Sequence, residues 1–224
     1  ESNSFHYPGI WRDRDIGDIN SEIKKGSPFT VRLKTPKEGK TSFQDLIYGN
    51  ISVENNEIDD FIIVRSDGSP VYNLTNVVDD SSMEITHVIR GEDHVSNTPK
   101  QILIYHALGF KVPIFAHLPM ILGEDNKRLS KRHGAAGVNE YESMGYQPDA
   151  LLNYLVLLGW NPGTDEEIFD LDSLVKNFDI RKVQKKSAIY DQKKFNWISL
   201  QHLMKEDSEK VLNRLAIIDP EWGE

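Results

Sequence analysis

The chain has 224 residues, enough for one large or two small domains with real cores, and its 38% hydrophobic and 27% charged residues describe an ordinary soluble globular protein. With no cysteine it holds neither a disulfide nor a thiolate zinc site, and no uninterrupted apolar run approaches the roughly 18 residues of a membrane span. A formal net charge of −9 argues against bulk nucleic-acid binding, which needs local Lys and Arg to neutralise phosphates.

The chain begins at Glu1 with no initiator Met and no charged-then-apolar leader, and it stops within "DPEWGE". It reads as a segment of something longer, from a cytoplasmic protein with no membrane attachment. From Phe29 to Val53 the text is strand and turn. "FTVRLK" and "TSFQDLI" flank the turn "TPKEGK", and Gly49-Asn50 leads into "ISVEN", which predicts a small antiparallel meander. "DFIIVRSDGSPVYNL" follows, with a turn at Ser66–Pro70. "ITHVIRG" (Ile85–Gly91) reads as a short apolar strand. "SNTPKQILIYHALG" predicts a helix capped by Ser96 or Asn97, with Pro99 in its first turn and Gly109 as its stop.

"PIFAHLPMIL" (Pro113–Leu122) reads as a second apolar strand. Strand, helix and strand in this order form a βαβ crossover, which implies a parallel sheet. Ligands of such sheets sit beyond the carboxyl ends of the strands, where "RGEDH" and "GEDNKRLSKR" follow here. The last third is helical: "PDALLNYLVLLG", "DLDSLVKNF", "DQKKFNWISLQHLMK" and "DSEKVLNRLAII" each carry capping residues or stops.

Two basic windows stand out from the acidic background. "KRLSKR" gathers Lys127, Arg128, Lys131 and Arg132 around Leu129 and Ser130, closed by Gly134. Mobile cations on a Gly-flanked loop after a strand suit a phosphate whose charge develops in a transition state, although a plain basic surface loop has the same text. "RKVQKKSAIYDQKK" sets Arg181, Lys182, Lys185, Lys186, Lys193 and Lys194 against the single Asp191, which fits either phosphate contact or a solvated face. Arg90 at a strand end is a natural carboxylate clamp, or else an ion-pair partner of Glu92 and Asp93. Asp93 and His94 are placed to meet a nucleotide. "YNLTNVVDD" (Tyr72–Asp80) offers a hydroxyl, an amide and the paired acids Asp79-Asp80, which could bind a metal or amine or cap a helix. No G-x-G-x-x-G or P-loop text occurs. His6, His87, His106, His117 and His202 lack ligand spacing and read as structural.

In combination these segments are more specific than any one alone. "DGSPVYNLTNVVDDSSMEITHVIRGEDHVSNTPKQILIYHALGF", "AHLPMILGEDNKRLSKRHGA" and "GYQPDALLNYLVLLGW", in this order, closely resemble the bacterial-type glutamyl-tRNA synthetases, and "HYPG", "VRLK" and "TSFQDLIYGNISV" look like that family's inserted acceptor-stem-binding region. The resemblance implies an α/β fold: part of the acceptor-binding insertion over 1–72, the second half of a Rossmann-like parallel sheet domain over 73–122, a helical stem-contact domain over 123–207, and the start of the anticodon-binding region over 208–224. By the same resemblance Arg128, Leu129, Ser130, Lys131 and Arg132 form a KMSKS-type loop on the phosphates of ATP, with Lys131 the central catalytic contact, and Asp93 and His94 contact ATP. Tyr72, Asn76 and Arg90 correspond to glutamate-pocket residues, Arg90 facing the side-chain carboxylate. Arg181, Lys182, Lys185, Lys186, Lys193 and Lys194 fall among helices that follow the tRNA. The implied reaction joins L-glutamate to ATP, with Mg2+, as glutamyl-adenylate, then passes the acyl group to the terminal ribose of tRNA-Glu. A monomer is expected.

The sequence departs from the family pattern in three places. The HIGH-type signature of the first Rossmann half is absent from these residues, most of the anticodon-binding region is missing, and "YPGIWR" lacks the cysteines of a zinc site, so no zinc is expected. The missing signature leads us to expect little activity from this segment alone. It also leaves open a non-catalytic tRNA- or nucleotide-binding module. The short paralogue that glutamylates queuosine in tRNA is the other alternative, disfavoured by the long helical text after "RLSKR".

Overall fold

A computed structural model describes residues 7–129 and 137–218, and the chain divides into two units, Glu1–His117 and Leu118–Glu224. In the first unit Asp15 accepts a hydrogen bond from the Gly17 amide at 2.7 Å and starts α1 (Ile16–Lys24), a helix not anticipated above. Four short strands follow: β1 (Val31–Arg32), β2 (Lys40–Asp45), β3 (Gly49–Glu54) and β4 (Ile62–Val64). β2 and β3 form an antiparallel hairpin with Lys40 opposite Glu54 and Asp45 opposite Gly49, whose φ of 82° only glycine adopts easily. β2 alternates strictly, turning Thr41, Phe43 and Asp45 inward.

Helix α2 (Tyr72–Ser82), strand β5 (His87–Gly91), helix α3 (Thr98–Leu108) and strand β6 (Ile114–Leu118) complete the unit. The helix read between Ser96 and Gly109 is α3, with Pro99 in its first turn and Gly109 ending it at φ 69°. Asp79 and Asp80 lie inside the last turns of α2 and cap no following helix.

The crossover is present, and its strands start side by side: the Ile114 amide donates to the Thr86 carbonyl at 2.9 Å. The sheet they join is mixed, however, not purely parallel. Its order is β3-β2-β6-β5, with β2 parallel to β6 and antiparallel to β3. The expected three-strand meander is also divided, because β1 leaves the hairpin and pairs with β4 in a separate two-stranded sheet. The buried Asp45 carboxylate explains the hairpin's position. It must find donors, and it finds them in the His117 amide and ring on β6. Covered on both faces, β6 buries Phe115, Ala116 and His117 in succession. Phe43, Val77, Ile102, Ile104, Tyr105 and Phe115 form the core around it.

The apolar run 113–122 breaks at Pro119-Met120, so its second half is a separate strand in the second unit, β7 (Ile121–Leu122). Helices α4 (Val138–Ser143), α5 (Pro148–Leu157) and α6 (Leu171–Asn177), strand β8 (Ala188–Ile189), and helices α7 (Gln192–Lys205) and α8 (Ser208–Ile218) follow. The helical reading of this third holds. It did not include α4, the 3-10 turn Ile180–Lys182 or β8, the last of them two residues long and parallel to β7. α5 packs on α7 over an aromatic core in which the Phe195 ring lies 4.4 Å from Tyr146 and 4.9 Å from Tyr154, both stacked. Among the described residues no helix is long and apolar enough to cross a membrane.

One ionic hub ties α1's approach to the β1–β4 region. The Asp60 carboxylate accepts from Arg12, from the Thr35 amide at 3.0 Å and from the Thr35 hydroxyl at 2.9 Å, with Lys37 at 3.4 Å. Burial pushes its pKa up, but these donors outweigh burial and bring it from 3.8 down to about 2. A depressed carboxylate stabilises the fold fully above its unfolded pKa, and that stability is lost as pH falls towards the folded value. Asp60→Asn should therefore lower stability by about 2 kcal/mol at neutral pH and flatten the decline between about pH 4 and pH 2. Urea unfolding at several pH values checks this.

Candidate functional site

At the carboxyl end of β5, Arg90 turns into the unit beside the short 3-10 segment Glu92–Asn97. Its Nε donates to His117 Nε2 at 3.2 Å, and its Nη2 donates to Thr98 Oγ1 at 2.7 Å and Gln101 Oε1 at 2.8 Å. The Phe115 ring lies beneath, 5.8 Å from the guanidinium carbon. These neighbours are neutral, whereas Nη1 is buried and finds no hydrogen-bond partner in the protein. Burial lowers the Arg90 pKa, opposed by Tyr72 and by the charge of Asp80. A guanidinium is still charged under such conditions. A half-buried cation whose hydrogen-bond partners are neutral, with one terminal nitrogen left over, has the chemistry to receive a carboxylate.

The residues read from the sequence gather around it. Gln101 bridges the group, accepting from Arg90 while its Nε2 donates to Asn76 Oδ1 at 2.9 Å and Asn73 Oδ1 at 3.3 Å. The half-exposed Tyr72 ring lies 5.8 Å from that of His94, whose Nδ1 meets Asn97 at 3.1 Å. Asp93 is in the same 3-10 segment, where Glu92 accepts from the Tyr48 hydroxyl. Tyr72, Asn76, Arg90 and His94 thus belong to one cluster. Thr98, Gln101 and His117 were not singled out for it. His117 carried a legible signal nonetheless, since a titratable ring inside an apolar strand has to be partnered.

In the second unit the loop text starts from a tight reversal. The Gly123 amide donates to the Lys127 carbonyl at 2.8 Å, Asn126 adopts a left-handed φ of 59°, and the Leu129 amide donates to the Ile121 carbonyl at 2.9 Å. Arg128 is thereby bridged to Leu122, and Leu129 packs on the aromatic core. Ser130, Lys131 and Arg132 lie outside the described residues.

The second basic window frames β8, which runs beside β7. Its charge is less bare than its text. Arg181 is clamped by Asp179 through two bonds of 2.9 and 2.8 Å, Lys194 pairs with Glu167, and Asp191 caps α7 by accepting from the Lys193 and Lys194 amides. Lys182, Lys185, Lys186 and Lys193 are exposed. Among the described residues no group of three or more His, Asp or Glu gathers as a metal-ligand set.

Residues 9–197 match the family described as tRNA synthetases class I (E and Q), catalytic domain. The chain belongs to that family. It is 52% identical to a glutamate–tRNA ligase of Aquifex aeolicus over 87% of this chain and 41% of that protein, and 48% identical to one of Hydrogenobaculum sp. over 100% and 49%. In three dimensions it is similar to a glutamate tRNA ligase of Elizabethkingia meningosepticum solved with its amino acid, with a TM-score of 0.81, 31% identity, and coverage of 93% of this chain and 46% of that one. The chain therefore spans less than half the length of these relatives. Its mixed α/β sheet with flanking helices is the class I catalytic-domain fold.

Proposed function

We propose that this chain serves the ATP-dependent ligation of L-glutamate to tRNA-Glu through a glutamyl-adenylate. The observation that carries the reading is Arg90: a half-buried guanidinium with neutral partners and a buried, leftover Nη1 suits the one group that separates glutamate from glutamine. Tyr72 and Asn76 line the same pocket, Asn76 fixed through Gln101.

In this reading the α-carboxylate of glutamate attacks the α-phosphorus of ATP and pyrophosphate leaves. A hydroxyl of the terminal ribose of the tRNA then attacks the acyl carbon and AMP leaves. The protein contributes positioning and charge, with no covalent enzyme intermediate. Asp93 and His94 serve the nucleotide, and Arg128, Leu129, Ser130, Lys131 and Arg132 serve the triphosphate, with Lys131 strengthening as charge develops. Mg2+ would accompany ATP and supply charge neutralisation to its phosphates. Segment 1–72 serves the acceptor stem and 123–207 the body of the tRNA. Arg181, Lys182, Lys185, Lys186, Lys193 and Lys194 are assigned to its phosphates.

In the full-length protein, Arg90→Ala should raise the KM for glutamate by about 10- to 100-fold, the scale of a lost charge-assisted bond. It should also narrow the preference over glutamine. An unchanged KM in steady-state aminoacylation refutes the pocket. Lys131→Ala should slow glutamyl-adenylate formation by about 10²-fold or more while leaving glutamate KM nearly untouched, as single-turnover kinetics over a range of glutamate concentrations will show. The triple change Lys182→Gln, Lys186→Gln and Lys193→Gln should weaken cognate and non-cognate tRNA alike. It should also reduce the salt dependence of binding by roughly 0.7–0.9 log units for each phosphate no longer neutralised, read from titrations at two salt concentrations.

A further inference from the structure

Behind Arg90 runs a chain of three groups drawn from strands far apart in sequence. Asp45, at the end of β2, has both carboxylate oxygens filled. Oδ1 accepts from the amides of Ile47 and Tyr48, each at 2.9 Å, and Oδ2 accepts from the His117 amide at 3.1 Å and the His117 ring Nδ1 at 2.7 Å. The side chains of Asp45 and His117 are both 0% exposed. On the other side of the ring, His117 Nε2 faces Arg90 Nε at 3.2 Å and the Thr98 hydroxyl at 3.1 Å.

Donor and acceptor logic fixes the state of this ring. Arg90 Nε–H can only donate, so Nε2 must accept and the proton must sit on Nδ1, where the Asp45 carboxylate receives it. A doubly protonated ring would place N–H against N–H and a second cation beside the first. Burial pushes the His117 pKa down, and Arg90 and His94 push the same way against the pull of Asp45, so the ring is neutral near pH 7. Arg90 Nε thereby has a fixed acceptor, and Nη2 is fixed by Thr98 and Gln101. A planar guanidinium pinned at Nε and Nη2 has no rotation left, which sets the direction of its remaining nitrogen.

We propose that Asp45 and His117 are positioning residues for substrate recognition: Asp45 holds His117 in the Nδ1–H form, and His117 accepts from Arg90 so that Nη1 is aimed at the side-chain carboxylate of glutamate. The proposal rests on the reading of Arg90 as the carboxylate receptor. It adds that specificity is set from the β2–β3 hairpin, through a residue that never touches substrate.

Two substitutions separate positioning from packing. His117→Gln places an amide oxygen near the position of Nε2 and keeps an acceptor for Arg90. His117→Asn reaches only the Nδ1 position, so it keeps the donor to Asp45 and removes that acceptor. In aminoacylation by the full-length protein, His117→Asn should raise glutamate KM about tenfold or more, with kcat at saturating glutamate within about threefold, since small misplacements of a binding group have effects of this size. His117→Gln should stay within about threefold of the unaltered protein in both constants. Equal KM changes in the two variants, following their losses in melting temperature, would overturn the proposal. So would an unmoved KM in His117→Asn when Arg90→Ala raises it. If Arg90→Ala itself leaves KM unchanged, the pocket reading fails and the positioning role falls with it. Nitrogen NMR of the unaltered protein is a test that needs no variant: His117 should show a protonated Nδ1 and an accepting Nε2, and the opposite tautomer refutes the relay.

Discussion

The first unit is organised around a positive charge. Arg90 is half-buried, and a cation in that position needs acceptors for the hydrogens it turns inward. Thr98 and Gln101 on α3, and His117 on β6, provide the match, and Asp45 on β2 secures the last of these. The mixed order of the sheet follows from the same requirement. A hairpin with a carboxylate on its buried face has to dock where amide and ring donors await it, which is beside β6 and not beside β1. The apolar core of Phe43, Val77, Ile102 and Phe115 then closes around a polar centre in which Arg90 Nη1 alone of the guanidinium nitrogens is left without a partner.

The second unit is assembled on different terms. Its core is aromatic and stacked, and short polar devices start its elements. Asp170 accepts from the Ser173 amide at 2.8 Å at the head of α6, and Asp191 does the same for α7. The Tyr154 hydroxyl reaches the backbone at Asp191, receiving from its amide at 2.7 Å, so helix α5 and the start of α7 are registered by one phenol. Burial pushes that phenol's pKa up to about 12, which keeps its proton available for the Asp191 carbonyl. The strand leading into Arg128 and Leu129 is thus backed by a rigid wall, through β8 and the Tyr190 amide that donates to the Leu122 carbonyl at 2.8 Å.

Much of this was legible in the text because it depends on local rules. The α3 helix announced itself by Pro99 and Gly109, the α5 helix by its apolar run, and the crossover by the two apolar strands around α3. Arg90 read as a carboxylate clamp from its place at a strand end, whereas Tyr72 and Asn76 were grouped with it by the family resemblance alone. What escaped depends on distance in the chain. β1 pairs with β4 across an intervening hairpin, and β8, two residues long, has no periodicity to show. The acids that neutralise Arg181 and Lys194 are Asp179 and Glu167, and both lie outside the window whose charge was counted. His117 was dismissed for lacking ligand spacing. Its partners stand 27 and 72 positions away, so no short window could contain them.

The fully occupied carboxylate of Asp45 has a consequence for how this family can be recombined. With two amides of its own turn on one oxygen and the His117 amide and ring on the other, it belongs as much to the ligand cluster as to the hairpin that carries it. The hairpin is therefore not a removable appendage of the sheet. A chimaera that takes residues 40–54 from a relative with a different acid, or a different turn length, imports another orientation of the histidine ring. On the proposed positioning role it would alter amino-acid choice without changing any residue of the proposed pocket.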